Sequence, residues 1–415
     1  MALLAAVLLL SLCAAIYLWS SRSNSRLLAQ IHSYLATNRE ALDLSDGGAR
    51  FDASLIDTRG KRIFLLGESH GIAINEDLDL ALLRYLHRNA GVRVYFSEMS
   101  HAQACLLNRY LETGDEDLLD FVFGEFRNTS LWTREHREFI HKFRAWNTSL
   151  DRRDRVRIAG VDVEHQPRIA MRFLADSVLE AGHTVPRAIK TTLSRLNDLR
   201  DGPSETARQF AAELVSSIQR NRADYSAFLG DRLLDFEIVA TNLQKSDEFY
   251  GNRDRSKAGA IRDRAMYETF RKLYPRFAGE TCYGRWGADH IIQRPFQKHQ
   301  PFAAMLNRPE SPVAGQIISI QAIYQHSEGT ISNGSSYQDY QASAPAPFLE
   351  LFAPVANNPI TLFRITGASS LLARELPGYP LGEGVQYVVF IQDAAAAHPL
   401  EASMVLPWAH PTAKE

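Results

Sequence analysis

Short, almost continuously apolar segments alternate with longer stretches of helical periodicity from Lys61 onward. Such segments are typical of strands buried on both faces of a parallel sheet, and the stretches between them of covering helices. The pattern therefore predicts an α/β fold with a mostly parallel central sheet, flanking helices and a large helical insertion. The predicted strands are RIFLLG (62–67), VRVYFSE (92–98), VRIAGVD (156–162), CYGRWGAD (282–289), GQIISIQAIY (315–324), ITLFRI (360–365) and QYVVFIQD (386–393).

Two segments depart from this alternation. Residues 166–276 show helical periodicity without a strand pattern, which predicts the insertion as a cap on the sheet. Residues 326–347 are rich in Ser, Gly and Pro and are predicted to form a mobile surface loop. Between the first two strands, Asn75 is predicted to cap a helix whose first turn carries Glu76 and Asp77.

The N-terminal residues 2–19 are apolar apart from Ser11, a length that can span a bilayer. We favour an uncleaved membrane anchor, and Arg22 and Arg26 after it favour a cytoplasmic body. A cleaved signal segment with export to the cell envelope is the alternative. The predicted organisation is an anchor or signal segment (1–26), a helical and loop lead-in (27–60), the α/β domain with its insertion (61–400) and a tail (401–415).

Composition limits the classes of partner. The 46 basic and 48 acidic residues give a formal net charge of -2, so the chain has no general electrostatic basis for binding nucleic acid. Its three cysteines are too few for a disulfide framework. The expected partners are a small-molecule or peptide substrate and, through the N-terminal segment, a membrane.

Polar residues cluster where the predicted strands end, and ligands of open α/β sheets bind outside the carboxyl ends of the strands. Among them, Asn75, Asp162 and Glu164 are predicted to contact substrate, although Asp162 and Glu164 are equally compatible with helix caps. The residues that follow or end the first four long strands are Glu68 and His70, Glu98 and His101, Asp162, Glu164 and His165, and Asp289 and His290.

One short motif, G-x-x-H, occurs twice at these ends, as residues 67–70 and 287–290. With Glu98 as an oxygen donor, His70 and His290 would form a possible divalent metal site that leaves a position open for water. Without a metal, the same residues would serve as a general base oriented by a carboxylate.

The segment GESHG also fits the nucleophile elbow G-x-S-x-G, with Ser69 as the nucleophile. An elbow of that kind normally follows several earlier strands, and residues 27–60 leave little room for them. Asp393 and His398 follow in the required order, but an HGGG-type oxyanion loop is absent from the sequence. We therefore favour Glu68 and His70 as the reactive pair and keep Ser69 as a less favoured alternative.

The succession of motifs resembles the erythromycin esterase-like family. LLGESHG, YFSEMS, LNRYLETGDEDLL and LWTREHREFIHKFRAWN follow the family's order, as do VRIAGVD, IRDRAMYETF (261–270) and VQYVVFIQDAAAAHPL. The resemblance covers most of residues 60–400. The specificity lies in the succession of these motifs rather than in any one of them.

The resemblance implies a fold similar to that of the haem-binding ChaN lipoproteins and of the Tiki and TraB group. It implies an active site of Glu68, His70, Glu98 and His290, in which a histidine activates water as a general base. Arg262 is implied as a partner of substrate or of a carboxylate.

The sequence departs from the family in the spacing G-E-x-H instead of G-E-x-x-H and in WGADH at the place of W-x-H-N-x-H. Asp79 lies close to the position of an arginine usual in the first helix. These departures argue against macrolide hydrolysis and move the site toward the metal-binding relatives. The expected function is hydrolysis of an ester, lactone or amide. The alternatives are metal or haem binding without catalysis, as in ChaN, and a metal-dependent peptidase of the Tiki and TraB type.

Overall fold

The structure is a computed structural model that describes residues 25–45, 51–182, 184–277, 279–295, 300–379 and 381–401. The predicted membrane segment 2–19 and the tail beyond residue 401 lie outside these ranges. Within them, no helix combines the length and apolarity needed to cross a bilayer. Membrane attachment or export through residues 2–19 stays a prediction.

The centre of the molecule is an eight-stranded sheet in the order β1-β9-β10-β6-β2-β5-β3-β4. Neighbouring strands from β10 to β4 are parallel, whereas β9 is antiparallel to both β10 and β1. The strands of this sheet are β1 (Arg39–Ala41), β2 (Ile63–Glu68), β3 (Val92–Ser100), β4 (Arg157–Asp162), β5 (Thr281–Gly287), β6 (Ile317–Gln325), β9 (Ile360–Arg364) and β10 (Tyr387–Gln392). The predicted fold class is confirmed, and each predicted apolar segment forms a strand.

Side chains of β2 alternate between two cores. Phe64 and Leu66 pack into the core on one face of the sheet, and Ile63 and Leu65 into the core on the other. All are fully buried, as a strand covered on both faces requires. The helices are α1 (25–37), α2 (Ile74–Ala90), α3 (His101–Thr113), α4 (Glu116–Gly124), α5 (Arg134–Ser149), α6 (Pro167–Ala181), α7 (Arg187–Asp198), α8 (Ser204–Arg220), α9 (Arg222–Leu229), α10 (Leu233–Gly251), α11 (Arg255–Leu273), α12 (Phe302–Leu306), α13 (Ala346–Phe352) and α14 (Ser369–Glu375).

Helices α6 to α11 occupy the segment predicted as the helical insertion, and no strand is found among its described residues. The last of them, α11, packs Met266 and Phe270 into the core beside Val161 of β4. Arg262 lies one helical turn before Met266, on the same side of α11. The packing of α11 therefore places Arg262 at the carboxyl ends of the central strands.

The prediction of a surface loop over residues 326–347 is wrong in part. β7 (Ser327–Ser332) and β8 (Tyr337–Ala342) pair as an antiparallel hairpin. In the turn, Asn333 Oδ1 accepts hydrogen bonds from the backbone N–H groups of Ser335 and Ser336, 3.0 and 2.9 Å away. The Ser, Gly and Asn residues that suggested a loop form this turn, while the flanking Thr, Ile and Tyr residues form the strands.

The predicted helix cap at Asn75 is also wrong. The N-cap of α2 is Ala73, and Asn75 lies in the first turn with its side chain buried. The acidic first turn of Glu76 and Asp77 is present as predicted. Asn75 is directed instead toward the end of β2, where it has a different role described below.

Gly284 permits β5 to lie beside β3. A Cβ atom at this position would lie 1.8 Å from the carbonyl oxygen of Phe96. Gly284→Ala should therefore lower the free energy of unfolding by about 3 kcal/mol, measured by urea denaturation. Gly124→Ala is the control, because a Cβ there meets nothing within 4 Å and the position is helical. It should raise stability by about 0.5 kcal/mol. Equal stability of the two variants would contradict the packing of β3 against β5.

Candidate active site

Glu68 and His70 form a hydrogen-bonded pair at the carboxyl end of β2. Glu68 ends the strand, is 5% exposed and binds His70 Nδ1 through Oε1. Asn75 donates to the other carboxylate oxygen, and Tyr324 donates to Asn75 Oδ1 over 2.7 Å. Both oxygens of Glu68 are thus fixed from within the protein, and the carboxylate orients the imidazole.

The side chain of His70 is 52% exposed. The charge of Glu68 raises its pKa to about 9, against a smaller opposing effect of burial, and Glu98 raises it further. Nε2 has no partner among the described residues. A neutral His70 therefore has one nitrogen held by Glu68 and one available to a water molecule.

The β7–β8 hairpin holds the turn that carries His70. Tyr340 donates a hydrogen bond of 2.7 Å to the carbonyl oxygen of His70, and Thr330 N donates one of 2.9 Å to that of Gly71. Gly71 has φ +80°, and a Cβ atom there would lie 1.8 Å from Thr330 O. Only glycine fits this turn without moving the hairpin, which explains why the motif has glycine after the histidine.

Arg262 is the centre of a buried charge cluster beside this pair. Its Nε lies 3.0 and 3.1 Å from the two carboxylate oxygens of Asp162, and its Nη2 contacts both Asp162 and Glu98. Burial opposes ionisation of Glu98, but Arg262, His290 and His70 outweigh it and lower the pKa of Glu98 to about 2. Against the same effect of burial, Arg262 and His165 hold the pKa of Asp162 well below its usual range. Both carboxylates are ionised at neutral pH.

His290 lies in a short 3-10 helix, Ala288–Ile291, that follows β5. Its Nε2 is 3.2 Å from Nη1 of Arg262, and its Nδ1 is 2.7 Å from Asp263 Oδ1. A guanidinium only donates, so when His290 is neutral its Nε2 accepts from Arg262 and its Nδ1 donates to Asp263. Both ring nitrogens of His290 are thereby engaged with neighbouring side chains.

His70, Glu98 and His290 converge as the sequence predicts. A Cβ atom on Gly287 would lie 3.2 Å from Glu98 Oε2, 3.5 Å from His70 Cε1 and 3.6 Å from His290 Cδ2. The residues do not fit a divalent metal, however. Glu98 accepts hydrogen bonds from Arg262 and from the backbone N–H of Gly287. The two ring nitrogens of His290, which are the atoms that would bind a metal, contact Arg262 and Asp263 instead. The guanidinium lies between Glu98 and His290, where a cation shared by these two side chains would have to bind.

Among the described residues, no group of three or more His, Cys, Asp or Glu side chains is arranged so that it could hold a metal ion. The contacts of Glu98 and His290 are those of a site built around Arg262, and the predicted metal site of His70, Glu98 and His290 is not confirmed. The haem-binding alternative is not tested by these contacts and stays a prediction.

The residues predicted to contact substrate have different positions. Asp162 lines the cavity beside Arg262 and also binds His165 Nε2 over 3.1 Å. Glu164 is fully buried and accepts from the backbone N–H of Ala102 in the first turn of α3, so it acts as a helix cap. Burial raises the pKa of Glu164 to about 7. Asn75, 1% exposed, orients Glu68 and does not line the cavity.

A cavity of about 270 Å³ opens over these residues. Glu68, His70, Glu98 and Arg262 line it, together with residues that the sequence did not suggest as site residues. The latter include Glu76, His136, Tyr250 and Arg285. Arg285 had a detectable signal, because a charged residue in a strand buried on both faces needs a charged partner.

Ser69 lies apart from the cavity that His70 lines. It lines a neighbouring cavity of about 450 Å³ with Asp289, Tyr324 and Tyr340. The acid and base proposed for the elbow have other partners: His398 Nδ1 binds Glu135 over 2.7 Å, and Asp393 Oδ1 lies 3.9 Å from His326 Nδ1. These contacts favour Ser69 as the spacer between Glu68 and His70.

Comparisons with known proteins support this fold. The erythromycin esterase family model matches residues 87–281. A succinoglycan biosynthesis protein aligns with a TM-score of 0.68 at 13% identity, covering 90% of this chain and 98% of its own. A Bacillus cereus protein aligns with a TM-score of 0.64 at 15% identity, covering 90% and 99%. A histidine-to-asparagine mutant of erythromycin esterase EreC in its open conformation aligns with a TM-score of 0.62 at 15% identity, covering 83% and 93%. The comparison with curated sequences finds no match.

Arg262→Met should destabilise the protein by roughly 3–5 kcal/mol at neutral pH, because Glu98 and Asp162 would remain buried without a cation. The wild-type pKa of Glu98 is lowered, so its stabilising contribution is present above the ordinary value of 4.5 and is lost as pH falls toward 2. In the variant, burial favours protonation, so stability should rise as pH falls from neutral to about 5. Urea denaturation at both pH values measures this.

The control is Arg59→Met, since the Arg59 side chain is 89% exposed beside Asp57 and its loss should not change stability measurably. If Arg262→Met were as stable as the wild type at neutral pH, the cluster would not have the arrangement described.

Proposed function

We propose that this chain, whose residues 87–281 match the erythromycin esterase family model, is a hydrolase in which His70 activates water against an ester, lactone or amide. The observation that supports this proposal best is the Glu68–His70 pair at the cavity wall. One imidazole nitrogen is fixed by a buried carboxylate, and the other is free for water. The cavity volume of about 270 Å³ favours a small-molecule substrate or one small group of a larger substrate.

In the proposed reaction, neutral His70 removes a proton from water through Nε2 while the water oxygen attacks the carbonyl carbon. Glu68 stabilises the imidazolium that forms, because its Oε1 already accepts from Nδ1. The negative charge on the former carbonyl oxygen develops in the field of Arg262 and Arg285, which line the same cavity. His70 then returns the proton to the leaving oxygen or nitrogen as the tetrahedral intermediate collapses.

Arg262 has a narrower role in this proposal than the sequence suggested. Asp162, Glu98 and His290 engage most of its N–H donors. Its main role is to fix the positions of Glu98 and His290. Its charge also acts on the substrate through its electrostatic field, without a direct hydrogen bond to the substrate. Glu98 in turn accepts from the backbone of Gly287 and faces His70, so the cluster fixes one wall of the reaction space.

His70→Ala should lower kcat/KM by about 10²- to 10⁴-fold, because it removes the general base. The assay begins with a panel of esters, lactones and amides, and continues with the best substrate. His326→Ala is the matched control, since that side chain is 71% exposed and lines neither cavity described above. Its kcat/KM should equal that of the wild type. Undiminished hydrolysis by His70→Ala would contradict the mechanism, and no turnover of any member of the panel would contradict the proposed activity.

The pH dependence of kcat/KM tests the role of Glu68. Only neutral His70 accepts a proton, so the rate should rise with pH and level off above the pKa of about 9. Glu68→Gln removes the largest cause of the raised pKa. The rising limb should therefore move down toward the ordinary value of 6.5, with a lower maximum because the imidazolium loses its carboxylate. If the rising limb of kcat/KM stays at the same pH in Glu68→Gln, the group that titrates is not His70.

A further inference from the structure

The second cavity, of about 450 Å³ and called here the Ser69 cavity, adjoins the cavity of the proposed reaction. After β2, Glu68 and His70 line the first cavity, and Ser69 between them lines the second. At the end of β5, Trp286 lines the first cavity and Ala288 the second. The backbone of these two strand ends therefore forms a wall that both cavities share. The proposed proton transfer uses only the first cavity, so the Ser69 cavity needs its own explanation.

The lining of the Ser69 cavity is largely apolar and almost without charge. Large apolar side chains contribute much of it, namely those of Ile292, Ile323, Phe348, Leu381 and Val385. Among the described residues that line it there is no Lys, Arg or His, and the single acidic residue, Asp289, is exposed to solvent. An anionic ligand would meet this carboxylate and no compensating cation. The lining therefore favours an uncharged hydrocarbon group, whose burial is favourable in itself.

Two tyrosines that line the Ser69 cavity also hold the catalytic pair. Tyr340 donates a hydrogen bond of 2.7 Å to the carbonyl oxygen of His70. Tyr324 donates one of 2.7 Å to Asn75 Oδ1, and Asn75 in turn donates to Glu68. A ligand in this cavity therefore packs against the side chains that fix Glu68 and His70, which links the cavity to the proposed reaction.

Hydrogen bonds between segments distant in the chain fix the walls of the Ser69 cavity. Ala344 N donates to Tyr324 O over 2.8 Å, which holds the end of the β7–β8 hairpin against β6. Gln293 N donates to Gly384 O over 3.0 Å, which joins the segment after β5 to the segment before β10. The cavity is thus formed by the fold itself, as is usual for sites that bind small molecules.

The proposed reaction determines which part of the substrate lies in which cavity. His70 must reach the leaving oxygen or nitrogen to return the proton, so the leaving group lies with the imidazole in the first cavity. The acyl group is bonded to the other side of the carbonyl carbon. It therefore extends in the other direction, past Ser69 and into the second cavity.

We propose that the Ser69 cavity binds the acyl chain of the substrate, so that the protein acts on an ester or amide with an apolar acyl chain of several carbon atoms. This inference rests on the proposed hydrolase function and names the substrate class for that site. The carbonyl carbon lies at His70, and the hydrocarbon chain packs on the apolar lining that Ile323, Phe348 and Leu381 contribute.

The first test measures binding separately from turnover, by ligand-observed NMR titration of the full chain. The two probes are the methyl ketones 2-octanone and 2-butanone, which have a carbonyl group but no bond to hydrolyse, and which differ only in the length of the hydrocarbon chain. Each buried CH₂ group strengthens binding roughly fourfold, so 2-octanone should bind at least about tenfold more tightly even if its chain is buried in part. Equal affinities, or no binding of 2-octanone, would overturn the inference.

Ala344→Phe should abolish this preference, because Ala344 lines the Ser69 cavity and a phenyl ring there takes the space of the chain. Ala346→Phe is the matched control and should keep the preference, since Ala346 is exposed and lines neither cavity described above. Thermal unfolding verifies that each variant is folded. If Ala344→Phe is not, Phe348→Ser replaces it and should lower the preference severalfold, because it removes a large apolar side chain from the lining. A preference that persists in the folded cavity variant would also overturn the inference.

The second test asks whether a chain in this cavity places its carbonyl group at the catalytic pair. The wild type should hydrolyse p-nitrophenyl hexanoate with a kcat/KM at least about tenfold higher than that of p-nitrophenyl acetate. The two esters share one leaving group, so the ratio of their kcat/KM values reports on the acyl chain. Ala344→Phe should lower this ratio toward one. A ratio near one in the wild type, or an unchanged ratio in Ala344→Phe, would overturn the inference.

The two proposals fail in different ways. If the wild type hydrolyses both nitrophenyl esters with equal kcat/KM and binds both ketones equally, only the inference about the acyl chain is wrong. If 2-octanone binds with the predicted preference, Ala344→Phe abolishes that preference, and the wild type hydrolyses no ester, lactone or amide, the hydrolase proposal is wrong while the apolar binding site stands.

Discussion

The buried ion pair of Arg262 with Asp162 and Glu98 joins the two parts of the molecule that make the site. Arg262 belongs to α11 of the helical insertion, whereas Glu98 and Asp162 come from the ends of β3 and β4. Burying three charges is costly, and a buried pair is weak evidence for stability in itself. What this cluster provides is position, because each carboxylate is fixed by a cation that the packing of Met266 and Phe270 holds in place.

The same cluster determines the chemistry available to the neighbouring pair. Glu98 is ionised and close to His70, and together with Glu68 it raises the pKa of that imidazole. His70 therefore needs alkaline conditions to act as a base, while Asn75 and the β7–β8 hairpin hold its carboxylate and its backbone still. Rigid support of this kind suits a general base, since the proton acceptor must keep its direction toward water.

Much of the fold follows from the sequence, because strands buried on both faces must be continuously apolar and such runs are visible in the chain. The convergence of His70, Glu98 and His290 also follows, since parallel strands end at one edge of the sheet. The sequence alone does not decide whether these side chains bind a metal ion. Whether histidines and a glutamate bind a metal or an arginine depends on where α11 places residue 262, which only tertiary packing decides.

The remaining misses have similar causes. Asn75 stands near the start of a helix and resembles a cap, but a two-residue difference in where α2 begins turns its side chain toward Glu68. The β7–β8 hairpin was not predicted, because the Ser, Gly and Asn residues of its turn are also typical of a loop. His136 reaches the cavity from α5, a helix distant in sequence from the strand ends, and its hydrogen bond to Glu76 could not be read from either segment alone.

The central claim is that a guanidinium, and not a metal ion, organises this site. The most direct measurement is hydrolysis of the best ester, lactone or amide substrate by protein dialysed against a strong chelator, compared with untreated protein and with protein to which Zn²⁺ has been restored. The account predicts the same kcat/KM in all three samples and no stoichiometric metal in the untreated protein. Loss of activity on chelation, with recovery when Zn²⁺ is added, would contradict it.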